Sequence, residues 1–275
     1  MLAHPATATP AATPAHLAPP PAGHCLNCHH RLAGPFCHHC GQSASVPPRI
    51  TAHHLLHELP HTIWHVDHGI VYTVREMLLR PGLSIKRFLA GERKPFFHPL
   101  SLLILVGGVS AFLFGVFHIV PYDTHQPGLT PRMQEVQQQV LHIIQRFQAW
   151  LSILFLPVSA TIATPLLRRR TGYTWAEQLV AAALMSGAVA TAGLLFIPAM
   201  AFWSGQAAVT KVALAMTLAM LAYKTFGYAQ LQALTAGPER PFGRWGRGLL
   251  VAVLEYVVTI VVFGGLPFVV VLLTR

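Results

Sequence analysis

At 275 residues, 53% hydrophobic and only 10% charged, the chain departs from soluble domains, in which about a quarter of residues are charged. Lys and Arg outnumber Asp and Glu by 19 to 9, a net of +10, and the basic residues flank apolar runs rather than interleaving with aromatics. That placement argues against a nucleic-acid partner and for charge that sets membrane topology.

Residues 1–23 are rich in Ala, Pro, Thr and His and carry no charge. They lack the basic start and the apolar stretch of a secretory signal, so a disordered leader is expected.

A compact head is expected over residues 24–45. Cys25-Leu26-Asn27-Cys28 and Cys37-His38-His39-Cys40 are two Cys-x-x-Cys knuckles separated by eight residues, and they hold every cysteine of the chain. This spacing suits one tetrahedral Zn2+ held by four thiolates, Cys25, Cys28, Cys37 and Cys40. Two disulfides are the alternative and require an oxidising compartment. A rubredoxin-like iron site normally has its knuckles much farther apart. Eight residues cannot build a core, so metal binding would supply the folding energy. Gly41 follows the second knuckle and suits a tight turn; His29 follows the first, where a less regular turn is expected. His29, His30, His38 and His39 are expected to face solvent, because four thiolates already satisfy zinc.

Residues 46–99 are expected to form amphipathic juxtamembrane helices. Leu56, Leu59, Ile63, Val66, Ile70, Val74 and Met77 recur at steps of three and four, one helical face. Beside them runs a histidine stripe, His54, His57, His61, His65 and His68. It is either a polar face at the headgroups or a second metal site built on His57, His61 and His65. Pro60 suits the start of a new helix. Pro81 and Gly82 end the next helix, and Ser84 is expected to cap a short one.

The string Gly69, Tyr72-Thr73, Leu79, Arg80-Pro81-Gly82, Ile85, Phe88-Leu89, Gly91, Arg93 and Pro99, following the two knuckles and Gly41, resembles an uncharacterised family of bacterial multi-pass membrane proteins with an N-terminal zinc ribbon (domain of unknown function 3667). The resemblance covers residues 25–105. It implies an architecture and a bacterial inner-membrane location, and it implies no activity.

Residues 100–275 contain five apolar segments able to cross about 30 Å, near 100–120, 150–167, 179–203, 212–234 and 249–273. Eight basic residues precede the first span; Arg168, Arg169, Arg170, Arg240, Arg244 and Arg247 join them on one side, against four on the other. The basic side is expected to be cytoplasmic, leaving the C-terminus outside, and a reducing cytosol favours metal over disulfides. Gly107, Ala111 and Gly115, at four-residue steps, are expected to admit a close helix neighbour. Residues 131–148 carry Val136, Val140, Ile143 and Phe147 on one face, an outer-surface amphipathic helix.

Lys224 and Glu255 lie inside apolar spans at depths that allow antiparallel helices to pair them. Their pair is either structural or part of a route. No nucleophile elbow, phosphate loop or His-Glu-x-x-His is present, so no catalytic residue is assigned and no enzyme is expected. The expected fold is an all-α integral membrane helix bundle of about five transmembrane helices with a small zinc-ribbon head. The expected role is a scaffold or adaptor in the lipid bilayer whose cytoplasmic ribbon binds a protein partner. The alternative is a transporter or channel component using Lys224 and Glu255, with a metal ion as one candidate cargo.

Overall fold

The structure is a computed structural model that describes residues 23–47, 49–51, 69–117, 119, 130–202, 206–237 and 241–273. The leader histidines and the stripe with His57, His61 and His65 lie outside the described residues. Among those described, every regular element is a helix: α1 (Ile70–Leu79), α2 (Pro81–Leu89), α3 (Pro99–Val116), α4 (Pro131–Arg146), α5 (Gln148–Thr171), α6 (Trp175–Leu194), α7 (Ile197–Phe202), α8 (Gln206–Thr235) and α9 (Pro241–Leu273). Among the described residues, five stretches are long and apolar enough to cross a membrane: Pro99–Val116, Gln148–Thr171, Trp175–Phe202, Val209–Thr235 and Pro241–Val262.

Helix ends follow local chemistry. Pro81, Pro99 and Pro131 each open a helix, where a missing N–H costs nothing. Thr174 and Glu177 form a capping box at the start of α6. Gly172, at φ +70°, ends α5 in the left-handed conformation after Arg168, Arg169 and Arg170, whose charges oppose the helix dipole there. The third apolar span is two helices rather than one. The chain tightens at Leu195 and Phe196 because Pro198 cannot donate to the carbonyl four residues back.

The core lies between α6, α8 and the two short helices. Met77, Ile85, Phe88, Leu89, Tyr173, Leu184, Met185 and Leu231 form one buried cluster. Helices α1 and α2 therefore sit against the bundle as a hairpin turning at Arg80, with Val71 and Leu79 on its exposed side. Gln230 Oε1 accepts from Gly82 N at 2.8 Å, Lys86 Nζ donates to Leu234 O at 2.9 Å, and the Tyr223 hydroxyl donates to Met77 O. A Cβ on Gly82 would stand 2.4 Å from Leu231 N, so only glycine lets α2 approach α8 this closely.

Three local expectations change. Ser84 is not a cap: Arg80 is the N-cap residue of α2, and Ser84 lies a turn inside with its hydroxyl on Arg80 O at 3.0 Å. Of the two glycines in the small-residue stripe, Gly107 makes the close approach and Gly115 does not. A Cβ on Gly107 would meet Ala149 Cβ at 2.6 Å, whereas one on Gly115 meets nothing within 4 Å. The amphipathic helix at 131–148 is α4, capped by Thr130; it buries Val140 but leaves Ile143 and Phe147 exposed.

Candidate metal centre and membrane ion pair

The two knuckles have the same backbone, twelve residues apart. Cys25 N donates to His30 O and Cys37 N to Gln42 O, both at 2.9 Å; His29 N donates to Cys25 O at 2.9 Å and Gly41 N to Cys37 O at 2.8 Å. Isolated bridges pair His24 with Arg31 and Phe36 with Ser43. His29 adopts φ +60° where Gly41 adopts φ +73°. The first turn is thus as regular as the second, and His29 bears the side-chain strain that Gly41 avoids.

This doubled turn brings the four sulfurs together. Cys25 Sγ lies 3.6 Å from Cys40 Sγ, and Cys28 Sγ 3.5 Å from Cys37 Sγ; all four sulfurs lie within 4.8 Å of one another. Sulfurs about 2.3 Å from a tetrahedral zinc stand about 3.8 Å apart, whereas a disulfide requires about 2.05 Å. The donor set therefore fits a metal. Cys25 and Cys37 are buried, Cys28 and Cys40 half-buried.

Proton affinities within the cluster diverge. Burial raises the Cys40 thiol, but the Asn27 side chain and the Gln42 N–H outweigh it and bring Cys40 down to about 6. The N–H groups of Cys40 and His39 lower Cys37 against its burial. The His30 N–H favours the Cys28 thiolate, yet burial and shared protons with Cys37, Cys40 and Cys25 push Cys28 up to about 12. Crowded sulfurs repel a full set of negative charges, which a divalent cation relieves.

Gln42, unremarked in the sequence, joins this cluster to the helices. It is 4% exposed. Its Nε2 donates to Gly91 O at 2.8 Å, and its Oε1 accepts from Arg93 N and Lys94 N, both at 3.1 Å. The first knuckle adds Leu26, which lies so close to Gly91 that a Cβ there would meet Leu26 Cδ1 at 2.7 Å; Gly91 itself has φ +100°. Beneath this contact the Arg93 guanidinium stands over the Phe88 ring at 5.7 Å and that of Arg87 over Phe96 at 5.8 Å. Arg87 also donates to Glu92 Oε2 at 2.7 Å and to the Tyr72 hydroxyl at 2.8 Å. Past the head, Arg49 lies 3.4 Å from Glu177, which is 2% exposed, and donates to Gly172 O at 3.3 Å. The head is thus docked on the turn between α2 and α3, and its trailing segment on the turn between α5 and α6.

The second cluster lies within the helices. Lys224 Nζ stands 2.6 Å from Glu255 Oε2. A third helix joins the pair: the Ser159 hydroxyl of α5 donates to Glu255 Oε1, and the Tyr228 hydroxyl donates to the same oxygen at 3.0 Å. Glu255 is 1% exposed, and both its oxygens are satisfied by α5, α8 and α9, as an intramembrane carboxylate requires. On the side of Thr217 and Thr259 the pair borders a half-enclosed cavity of about 130 Å³, also lined by Val189 and Leu221. Ser159 could not be singled out from sequence, where it is an ordinary small residue of an apolar span. Glu177 could have been, from the pattern Thr174-x-x-Glu177.

Among the described residues, fold and clusters together define an all-helical protein with five apolar stretches able to cross a membrane and a four-cysteine head that can hold a metal ion. A family model described as "Protein of unknown function (DUF3667)" matches residues 67–111. The matched stretch spans α1, α2, the turn on which the head docks and most of α3, and stops short of the cysteines. No curated protein and no solved structure matches the chain.

Proposed function

We propose that this chain is a non-enzymatic scaffold or adaptor of the bacterial inner membrane, with the head a zinc ribbon on the cytoplasmic side and the C-terminus outside. The observation that carries this is the combination of a closed four-sulfur cluster with the Gln42 clasp. Cys25, Cys28, Cys37 and Cys40 would hold Zn2+ with no position left for substrate, as in structural rather than catalytic sites. The ion would supply folding energy, and the clasp would turn the ribbon into a fixed platform on the membrane body. Phe36, 63% exposed at the start of the second knuckle, offers an apolar anchor for a protein partner. Orientation rests on the basic residues gathered at the head, the end of α5 and the start of α9. Residues 1–23 serve as a leader, 24–45 as the ribbon, 46–99 as its juxtamembrane seat and 100–275 as the membrane bundle.

The test is purification from native membranes in native-like lipid, with mass spectrometry of what is retained by wild type, Cys28→Ser and Phe36→Asp. Loss of one defined protein from both variants, with all five spans inserted and zinc kept in Phe36→Asp, is expected. Identical retained material from all three would end the adaptor reading.

The cavity beside Lys224 and Glu255 favours a second reading, a transporter or channel component. Glu255→Gln separates the two. Normal insertion with altered solute uptake supports transport; loss of folded protein with no uptake change in the surviving fraction supports a structural pair.

A further inference from the structure

The head presents a second set of soft-metal donors that shares one sulfur with the four-sulfur set. Cys28 Sγ and one ring nitrogen each from His30 and His39 lie within 4.8 Å of one another. The fold assembles them from both knuckles. The left-handed turn at His29 swings His30 back over the first knuckle, where its Nδ1 stands 3.2 Å from Cys28 O. The second knuckle carries His39 to the same place, and the two imidazoles stack with centroids 3.9 Å apart and planes 8° from parallel. Both histidines are exposed, whereas Cys28 is half-buried. Cys28 is therefore the donor shared by an interior sulfur cluster and a solvent-facing imidazole pair.

The geometry points to a second, exposed site for one soft metal ion, Cu(I), held by Cys28 Sγ and the ring nitrogens of His30 and His39. It rests on the four cysteines being a metal centre, with the Cys28 thiolate bridging the two ions. A thiolate that has given one lone pair to a first metal keeps others, so one sulfur serves both. One sulfur and two imidazoles exclude the oxygen-seeking ions Mg2+ and Ca2+ and suit copper, which favours thiolate and imidazole in three-coordinate sets.

Binding requires a small movement. Donors about 2.0–2.3 Å from one ion stand about 3.5–4 Å apart in a trigonal set, so the three atoms close by up to about 1 Å. The rings also leave their parallel stack, since each nitrogen lone pair lies in its ring plane and parallel planes cannot share an ion. Exposed side chains make such rotations in picoseconds to nanoseconds, and no backbone change is needed. The site is open to solvent on the histidine side, so its ion exchanges more readily than the one among the sulfurs.

The experiment uses the zinc-loaded full chain in lipid nanodiscs, titrated anaerobically with Cu(I) buffered by a chromogenic chelator. Zinc and copper are counted by elemental analysis for wild type and for the double variant His30→Ala, His39→Ala. The chain has 17 histidines, so the difference between the two proteins is the measurement. One copper equivalent is expected to disappear from the tight phase in the double variant, with its affinity falling at least tenfold and zinc staying at one per chain. X-ray absorption of that copper should show one sulfur and two nitrogens. Copper uptake unchanged by the double variant overturns the proposal, and so does copper that enters only as zinc leaves. Copper bound by the three donors in a chain that never holds zinc would overturn the bridging thiolate and the four-cysteine reading together, leaving a mononuclear site.

Discussion

Replacing Gln42 with alanine removes the amide that ties the head to the turn between α2 and α3. Three hydrogen bonds go, to Gly91 O at 2.8 Å and from Arg93 N and Lys94 N at 3.1 Å. Gly91 is buried, whereas Lys94 is exposed, so water can replace the lost partner at Lys94 but not at Gly91. A buried carbonyl left unmet costs about 1–3 kcal/mol and an ordinary hydrogen bond contributes about 1 kcal/mol. The docked state therefore loses about 3 kcal/mol, roughly a 150-fold shift towards an undocked head. The knuckles themselves survive, because the Gln42 backbone still accepts from Cys37 N. Hydrogen–deuterium exchange in nanodiscs reads this directly: the amides of Arg93 and Lys94, whose acceptor is the Gln42 side chain, should exchange about two orders of magnitude faster in Gln42→Ala while metal content stays at wild-type level. Gln42→Glu should fall between, since a carboxylate still accepts from both N–H groups but cannot donate to Gly91. Unchanged protection at Arg93 and Lys94, or loss of metal with the side chain, would refute the clasp and place the role of Gln42 inside the knuckle.

The remaining predictions concern single residues. His29→Gly relieves a left-handed φ of +60° and should tighten retention of a metal at the four sulfurs, by about 1 kcal/mol in a chelator competition; weaker retention would show that the His29 side chain contributes a contact. Gly82→Ala places a Cβ 2.4 Å from Leu231 N, a backbone atom that cannot yield, and should destabilise the protein by about 1–3 kcal/mol, read as a lower thermal midpoint; an unchanged midpoint would mean that α2 can retreat from α8 freely. His98, just ahead of α3, is lowered from 6.5 to about 4 by burial and then by the charge of Arg93, and its Nδ1 has no hydrogen-bond partner among the described residues. Between these values the unfolded chain takes up a proton that the folded one refuses, so stability present above pH 6.5 is lost as pH falls towards 4, about 2 kcal/mol by pH 5. Thermal midpoints at pH 7.5 and pH 5 should converge in His98→Asn, and an equal drop in both proteins would sink this assignment.

What the sequence determines by itself is what a short window can specify. An apolar span is legible because the bilayer demands about 20 apolar residues in a row, and all five spans fall near their predicted places. The knuckle spacing is legible because chelation by two Cys-x-x-Cys turns is a local geometry, and the four sulfurs do converge. Even so, local pattern misleads where a neighbour decides. Gly107 and Gly115 look alike, yet only Gly107 has Ala149 against it. The docking of the head was invisible, since Gln42 meets partners 49 to 52 residues away and nothing near Gln42 marks it. Lys224 and Glu255 were pairable by depth along their helices, but Ser159, 96 residues from Glu255, reaches it only because α5 packs beside α8 and α9. Hydropathy and metal-ligand spacing are short-range requirements written residue by residue. The satisfaction of a buried amide or carboxylate is a long-range one, decided only when distant segments are brought into contact.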